Sequence, residues 1–361
     1  MVRWFAGLGL LLLAGSTGVT PAAAGQAGVE LHVLPRRVYV ASDQARPRWR
    51  LILVAINREP TALLLEGVAV TAQGDHPWRR VQRGERIQGI VQGSRQMPQG
   101  QIVVVVIADD QRRQPLPTAL VLELTFARQG GPQIVVARRV PLVPRSTSYL
   151  RFPLLGRWVT ANGRAQHHCV GMNFGFDFVA EQDFPLHEQP PERKLALEDF
   201  TSYRQPLYAP CDGTIIACAC DQPDLPPTPG VASYAEGPPE GKRELYPGNY
   251  IVMRAPERRY LLLAHFMRDS LLVKPGDQVR EGQHLGRVGN SGNSSGPHLH
   301  IEMLDGAPEL AKIGTLELRQ SGMPFGFREV SCQRGQSQSS LRKAAVPEQG
   351  EVVSIKEEAA Q

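Results

Sequence analysis

The chain has 361 residues, 42% of them hydrophobic, with 40 basic and 35 acidic side chains and a formal net charge of +5. This length suggests two or three domains. No heptad pattern is sustained, which excludes a coiled coil, and a single long apolar run excludes a polytopic membrane protein. The 35 glycines and 30 prolines favour short strands and turns over long helices. The slight, dispersed positive charge gives no reason to expect a nucleic-acid partner.

The apolar run lies at the N-terminus, where Arg3 precedes residues 4–14 and small residues follow up to 22–24. A short positive region, an apolar core of about a dozen residues and an A-x-A site are typical of a secretory signal. An uncleaved anchor is the alternative, but the core is short for a bilayer span. We expect residues 1–24 to be a signal peptide and the mature protein to be exported, periplasmic or extracellular, without membrane association.

Residues 25–148 contain segments rich in Val, Leu and Ile, several of them alternating between apolar and polar positions, with turn residues between them. The segments are residues 29–40, 51–57, 62–72, 101–108, 119–127 and 133–139. Repeated short strands of this kind predict an all-β fold with an N-terminal β-sandwich-like domain. No acid/base or metal-binding set of residues is evident there.

After a predicted linker at residues 141–145 (PLVPR), a second β-rich domain is predicted at residues 150–331. A proline- and glycine-rich stretch at residues 221–248 is predicted to be a long loop between two of its strands. Residues 332–361 are polar, without a sustained apolar face, and are predicted to be a disordered tail.

All five cysteines lie beyond residue 168, and their odd number leaves at least one unpaired in a monomer. They are Cys169, Cys211, Cys218, Cys220 and Cys332.

Two histidines, His298 and His300, open an apolar strand (HLHIEM) after a Gly-Asn-Ser-rich turn at residues 289–297. Residues i and i+2 of a strand project to the same face, so the two imidazoles point together while Leu299 faces the opposite layer. Such a pair suits a zinc ion with a neighbouring acid/base group. The alternative is an exposed pair on an amphipathic strand, and spacing does not decide which histidine would bind metal.

Two further apolar segments carry polar residues. Residues 260–265 form a predicted strand that ends in His265, and residues 174–179 form one with Asp177 at its centre. Strand alternation places the phenylalanines on either side of Asp177 on the opposite face, and a buried carboxylate without a partner is costly. A cation near Asp177 is the economical explanation.

Two adjacent histidines, His167 and His168, stand shortly before Asp177. Together with the histidines already described, they place one carboxylate and several imidazoles on neighbouring predicted strands. Two histidines, one aspartate and a fourth position open to water are typical of a catalytic zinc site, whereas structural zinc more often has four protein ligands.

Four segments of the second domain resemble segments of a known family. They are residues 207–215 (LYAPCDGTI), 248–265 (GNYIVMRAPERRYLLLAH), 273–289 (VKPGDQVREGQHLGRVG) and, most specifically, 291–302 (SGNSSGPHLHIE). Residues 155–305 thereby resemble the lysostaphin/LytM-type zinc metallopeptidases, which are peptidoglycan endopeptidases of bacteria. The N-terminal region contributes nothing to this resemblance.

The resemblance implies a β-rich metallopeptidase domain with an antiparallel sheet and assigns roles to the matched residues. Asp177 and His300 would be zinc ligands. His265 and His298 would be the catalytic pair that orients and deprotonates the attacking water and stabilises the tetrahedral intermediate.

The first zinc ligand departs from the commonest form of that family, in which a histidine stands four residues before the aspartate. Asn173 occupies that position here. His167 and His168 resemble a variant in which the histidine lies further upstream, so we expect one of them to complete the site. Spacing does not choose between them, and Cys169 is a weaker substitute.

These expectations describe an exported zinc metalloendopeptidase that cleaves peptidoglycan stem peptides or cross-bridges, with Zn²⁺ as its cofactor. The alternative is a catalytically inactive protein of the same fold that binds peptidoglycan or regulates a hydrolase. A structural β-protein that binds adventitious metal is a third reading. The loop at residues 221–248 is either a wall of the substrate groove or a passive surface loop. The N-terminal domain would position the peptidase, bind a protein partner or shield the groove.

Overall fold

The computed structural model describes residues 28–43, 49–92, 94–109, 116–162, 174–188, 193–229, 233, 242–312 and 319–355. The predicted signal peptide lies outside these residues. Within them, no helix has the length and apolar character needed to cross a membrane. The chain divides into two compact units, one ending at Ser146 and the other beginning at Thr147. Cys211, Cys218, Cys220 and Cys332 are free thiols, and Cys169 lies outside the described residues.

The N-terminal unit consists of two sheets. Its strands are β1 (Val29–Leu34), β2 (Val38–Ala41), β3 (Trp49–Asn57), β4 (Leu63–Gln73), β5 (Trp78–Arg83), β6 (Val91–Gln92), β7 (Gln96–Met97), β8 (Ile102–Asp109), β9 (Ala119–Arg128) and β10 (Ile134–Arg145), with a 3₁₀ turn at Gly84–Gly89. One sheet has the order β1-β3-β8-β6, and the other has β2-β10-β9-β4-β5 with β7 on β4. Inward residues of both sheets, such as Leu53 and Leu122, form one core. This is the predicted all-β, sandwich-like architecture.

Two expectations for this unit were wrong in detail. The segment predicted at residues 29–40 divides into β1 and β2, which belong to different sheets. The linker predicted at residues 141–145 is instead the end of β10, where Leu142 pairs in parallel with Val38. The prolines are tolerated because Pro141 is the last residue of β10 that pairs with β9, so the strand has only β2 beside it at Pro144.

The C-terminal unit is also almost entirely β. Its strands are β11 (Ser148–Arg151), β12 (Arg157–Asn162), β13 (Phe176–Ala180), β14 (Pro206–Tyr208), β15 (Gly213–Ala219), β16 (Asn249–Ala255), β17 (Arg259–Phe266), β18 (Gln278–Val279), β19 (His284–Arg287), β20 (Leu299–Leu304), β21 (Phe325–Arg334), β22 (Ser340–Ala345) and β23 (Glu351–Ser354). A short helix, α1, spans Phe184–Glu188, and 3₁₀ turns occur at Glu181–Asp183, Leu197–Asp199, Arg243–Leu245, Pro256–Arg258 and Leu310–Lys312.

One large sheet organises this unit, in the order β11-β21-β23-β12-β13-β20-β17-β16-β15-β18, with β22 on β21 and a separate β14-β19 pair. The three strands β13, β20 and β17 are antiparallel neighbours near its middle. One face of β13 carries Phe176 and Phe178, whose rings pack against the ring of Phe327. Because side chains alternate along a strand, the opposite face carries Asp177.

The C-terminal segment predicted to be a disordered tail is ordered in its described part. β21 continues to Arg334, and β23 then inserts between β21 and β12. The tail prediction was wrong because its strands are short and carry few apolar residues, so their burial depends on strands far away in the sequence. Val352 and Val353 are both buried, and Val352 packs against Val159 and Val179. Residues 356–361 lie outside the described residues.

Because β23 is inserted in the sheet, we expect truncation of two aliphatic residues in this segment to have different effects on the free energy of unfolding. Val353 on β23 is fully buried, whereas Leu341 on β22 is 62% exposed. Val353→Ala is expected to lower the free energy of unfolding of the C-terminal unit by about 2 kcal/mol, because buried methyl groups are lost. Leu341→Ala is expected to change it by less than about 0.5 kcal/mol. Denaturant unfolding of the full chain measures both, and equally small effects would show that β23 does not stabilise the unit.

Candidate metal centre and catalytic histidines

A carboxylate and an imidazole meet across two neighbouring strands. Asp177 on β13 stands opposite His300 on β20, and His300 Nδ1 lies 2.9 Å from Asp177 Oδ1. The second carboxylate oxygen, Oδ2, accepts a hydrogen bond of 3.0 Å from Asn162 Nδ2 on β12. Asp177 and His300 are both buried. The sheet register therefore brings together the two described residues to which the family resemblance gave the role of metal ligands.

His298 joins this pair from the residue immediately before β20. Its Nε2 lies 3.8 Å from Asp177 Oδ1, so it shares a face with His300, as strand alternation predicts, while Leu299 is buried on the other side. Its Nδ1 lies 2.8 Å from the carbonyl oxygen of Gly296. A carbonyl oxygen only accepts hydrogen bonds, so Nδ1 carries the proton and the neutral ring keeps its basic lone pair on Nε2, facing Asp177.

His265 approaches from the end of β17. Its ring centroid lies 4.6 Å from that of His298 and 6.1 Å from that of His300. Nδ1 lies 2.8 Å from the carbonyl oxygen of Ser291, so here too Nδ1 is the donor and Nε2 the basic atom. Burial, followed by the neighbouring imidazoles, holds the pKa of His265 well below its ordinary value, although Ser291 and Asp177 oppose this. His265 is therefore a neutral imidazole near pH 7.

The backbone at His265 is unusual for a residue with a side chain. Its φ is +66°, in the left-handed region, which costs a residue other than glycine about 1–2 kcal/mol. Its N–H donates to the carbonyl of Pro247 and its carbonyl accepts from the N–H of Gly289, so both backbone groups are satisfied in this conformation. Strained backbone of this kind is frequent at functional sites, where the surrounding structure holds it.

Tightly packed turns hold the carbonyl groups that orient these histidines. Gly248 and Gly292 both have positive φ, and a Cβ on Gly292 would lie 2.3 Å from the nitrogen of Gly248, so neither position tolerates a side chain. Ser291 Oγ donates to the carbonyl of Phe266 and accepts from the N–H of Asn249. This network fixes the Ser291 carbonyl to which His265 is bound.

The long loop that begins at residue 221 lies along the turn at residues 289–297. Asp224 Oδ1 accepts a hydrogen bond of 2.6 Å from the N–H of Asn290, and the N–H of Leu225 donates to the Asn290 carbonyl. Further along, the N–H of Thr228 donates to the carbonyl of Ser295. The described part of the loop thus supports the turn that precedes His298. Its role as a wall of a substrate groove stays a prediction.

A buried histidine that was not predicted from the sequence lies next to this site. His187 lies in α1, its ring centroid 5.5 Å from that of Phe200, and a Cβ on Gly296 would come within 2.6 Å of its Cε1. Its Nε2 is buried without a hydrogen-bond partner. Burial, then the charge of His298, lowers the pKa of His187 to about 4, although Asp177 acts in the opposite direction. His187 belongs to no recognisable motif, so no local signal in the sequence could have identified it.

The described residues provide part of the predicted zinc site. Among them, no group of three or more His, Cys, Asp or Glu side chains could hold a metal ion by itself. Asp177 and His300 supply a carboxylate oxygen and an imidazole nitrogen, a donor set that suits zinc. His167 and His168, the candidates for the third ligand, lie outside the described residues, as do Asn173 and Cys169. The donors that are described fit the metal.

The buried His187 predicts a specific contribution to acid destabilisation. Its pKa is about 4 in the folded protein against an ordinary value of 6.5, so the unfolded chain takes up the proton first as the pH falls. His187 therefore lowers the free energy of unfolding progressively between pH 6.5 and 4, by about 3 kcal/mol in total, and has no such effect above pH 6.5. In His187→Leu this contribution should vanish. Denaturant titrations of both proteins at several pH values test it, and identical pH slopes would contradict it.

The sequence was compared with those of known families and curated proteins. Residues 199–310 match the profile of Peptidase family M23. The peptidoglycan DD-endopeptidase ShyA of Vibrio cholerae is 33% identical over 96 residues, covering 27% of this chain and 20% of the relative. The peptidoglycan DD-endopeptidase ShyC of the same organism is 40% identical over 57 residues, covering 16% of this chain and 13% of the relative. The matched segments thus span a small part of these relatives.

Among solved structures, a mutant catalytic domain of the prophage-encoded M23 protein EnpA from Enterococcus faecalis is similar to this chain. The alignment covers 42% of this chain and 82% of the EnpA chain. The identity is 18% and the TM-score 0.26, too low to carry further weight. The family match includes His265, His298 and His300, whereas Asp177 precedes it. The predicted resemblance to LytM-type peptidases is confirmed, and the chain contains a Peptidase family M23 domain at residues 199–310.

Proposed function

We propose that the C-terminal unit is a zinc-dependent endopeptidase that hydrolyses peptide bonds in peptidoglycan stem peptides or cross-bridges. The observation that carries this proposal is the convergence of two histidines, His265 and His298, on the buried pair formed by Asp177 and His300. The family of residues 199–310 and the peptidoglycan DD-endopeptidase names of the relatives support the reaction and the substrate.

The cofactor and the ligands follow from the same residues. Zinc held by Asp177, His300 and one of His167 and His168 would lower the pKa of a bound water towards 7 and polarise the scissile carbonyl. The remaining steps belong to this chain's own side chains. A general base must be neutral at the working pH and must keep a lone pair near the attacking water.

His298 and His265 meet those requirements in complementary ways. His298 Nε2 faces the Asp177 carboxylate, and its Nδ1–H is held by the Gly296 carbonyl, so it can accept the proton of the attacking water as a correctly oriented imidazole. Asp177 nearby stabilises the imidazolium that forms. His265, with its Nδ1–H on Ser291, offers a second lone pair that orients the water. The protonated ring then donates from Nε2 to the developing oxyanion or to the leaving amine.

The competing proposal is an inactive relative that only binds peptidoglycan or regulates a hydrolase, and the feature in its favour is Asn173, which stands where the family commonly has its first ligand. Asp177, His265, His298 and His300 are all present, and the two catalytic candidates are oriented for proton transfer. We propose an extracytoplasmic location, periplasmic or cell-wall associated, from the predicted signal at residues 1–24 and from the substrate. The N-terminal unit would position the peptidase, bind a partner or shield the groove.

The catalytic assignment is tested by separating zinc binding from hydrolysis. The purified mature protein is expected to contain one equivalent of zinc and to release soluble fragments from sacculi. His265→Ala is expected to keep its zinc and to lose activity by roughly 10²- to 10⁴-fold, because a general acid/base group is removed. Metal analysis and a turbidity assay on sacculi measure both. A protein without zinc, or a His265→Ala variant as active as the wild type, would refute the proposal.

The first ligand is tested with two single variants. One of His167→Ala and His168→Ala is expected to lose stoichiometric zinc and activity, because a three-ligand site that loses one ligand binds zinc weakly. The other variant serves as its control and should retain both. Metal content after dialysis distinguishes them. If both variants keep a full equivalent of zinc, the first ligand is neither of these histidines.

A further inference from the structure

A buried acidic side chain next to the site has no role in the mechanism above. Glu302 on β20 is fully buried, and neither of its carboxyl oxygens makes a hydrogen bond. Buried polar groups nearly always have partners, so a carboxyl group with two unpartnered oxygens in the middle of a sheet requires a reason. Its neighbour on β17, Leu262, has an apolar side chain and offers the carboxyl group no hydrogen bond.

The surroundings of Glu302 are apolar on the side away from His300. Its partner on β17 is Leu262, which is buried and packs with Val252 and Leu310. Glu302 follows His300 by two residues, so strand alternation places both side chains on the same face. His300 Nε2 lies 4.0 Å from Glu302 Oε2, which is beyond hydrogen-bond distance, so a hydrogen bond between them requires a small movement of one side chain. The carboxyl group is therefore aimed at the rear of the imidazole of His300.

The opposite edge of the same ring faces Asp177. His300 Nδ1 lies 2.9 Å from Asp177 Oδ1, so Nδ1 is the nitrogen placed to share a metal ion with that carboxylate. A neutral imidazole that gives Nδ1 to a metal carries its proton on Nε2, which here is the nitrogen 4.0 Å from Glu302 Oε2. Metal-binding histidines usually donate their second N–H to a carboxylate, a carbonyl or water, which fixes the ring and its tautomer.

We propose that Glu302 is a positioning residue that accepts the Nε2–H of His300 and thereby holds this ring with Nδ1 towards the metal. The assignment rests on the proposed zinc site and adds to it one carboxyl group that contacts the ligand His300. The alternative is a neutral carboxyl group with a purely structural role, which would not influence metal binding.

The test compares zinc affinities of full-length variants in competition with a chromophoric chelator. Glu302→Leu removes the acceptor and fills similar space, and it is expected to raise the dissociation constant of zinc by about 10- to 100-fold. Glu302→Gln keeps an acceptor oxygen, so its loss should be smaller than that of Glu302→Leu. Circular dichroism of the metal-free proteins verifies folding, and the Leu variant should fold at least as stably as the wild type because an unpartnered buried group is removed.

A matched control removes another unpartnered buried atom of the same unit. Thr160 on β12 is fully buried with an unpartnered Oγ1, and it pairs with Phe178, on the face opposite Asp177. Thr160→Val is nearly isosteric and should leave zinc affinity unchanged. A Glu302→Leu variant with the same affinity as Thr160→Val would overturn the proposal.

Other outcomes separate this inference from the proposed function. A loss in Glu302→Leu as large as that in Asp177→Ala would make Glu302 a ligand and overturn the positioning role. If Glu302→Leu binds zinc more weakly but the wild-type protein does not cleave sacculi, the role of Glu302 is supported and the peptidase function is refuted. A wild-type protein that binds no zinc would overturn both.

Discussion

The contact between the Asp177 carboxylate and the His300 imidazole, made across β13 and β20 inside a sheet, is the constraint on which the rest of the C-terminal unit depends. A carboxylate at this depth needs donors, because its desolvation is otherwise unfavourable. The flanking strand β12 supplies Asn162, and the opposite face of β13 is sealed by phenylalanine rings. The same arrangement leaves a carboxylate and an imidazole adjacent in a buried site, and these are two of the donors that we propose for the metal.

The strands place the side chains, whereas the turns set the tautomers of the histidines. His298 and His265 both give Nδ1–H to a backbone carbonyl, of Gly296 and Ser291 respectively. Those carbonyls belong to the turn at residues 289–297, which is held by close glycine contacts and by hydrogen bonds from the loop at residues 221–248. Because each ring is fixed in one tautomer, the basic nitrogen faces the centre in both cases. In the proposed mechanism, proton transfer therefore needs no rearrangement of either ring.

Much of the fold could be predicted wherever a strand carries its own apolar signal. The segments at residues 51–57, 62–72 and 119–127 correspond closely to β3, β4 and β9. The missed strands lack that signal: β5 reads WRRVQR and is an edge strand whose side chains are mostly exposed. β23 has only four residues, and its pairing partners begin about 195 and 25 residues earlier in the chain. Pairing over such distances has no local pattern from which to be predicted.

The sequence by itself determined which groups are available to the site: a carboxylate at Asp177, imidazoles at His265, His298 and His300, and the Gly-Asn-Ser turn that precedes them. It also determined that His298 and His300 share a face, because strand periodicity is a local property. Only the tertiary structure decided that Asp177 meets His300 Nδ1, that His265 and His298 keep their lone pairs on Nε2, and that His187 and Glu302 lie buried beside them. Those features depend on sheet register and on carbonyl groups contributed by distant turns. Neither is encoded in the residues immediately around each side chain.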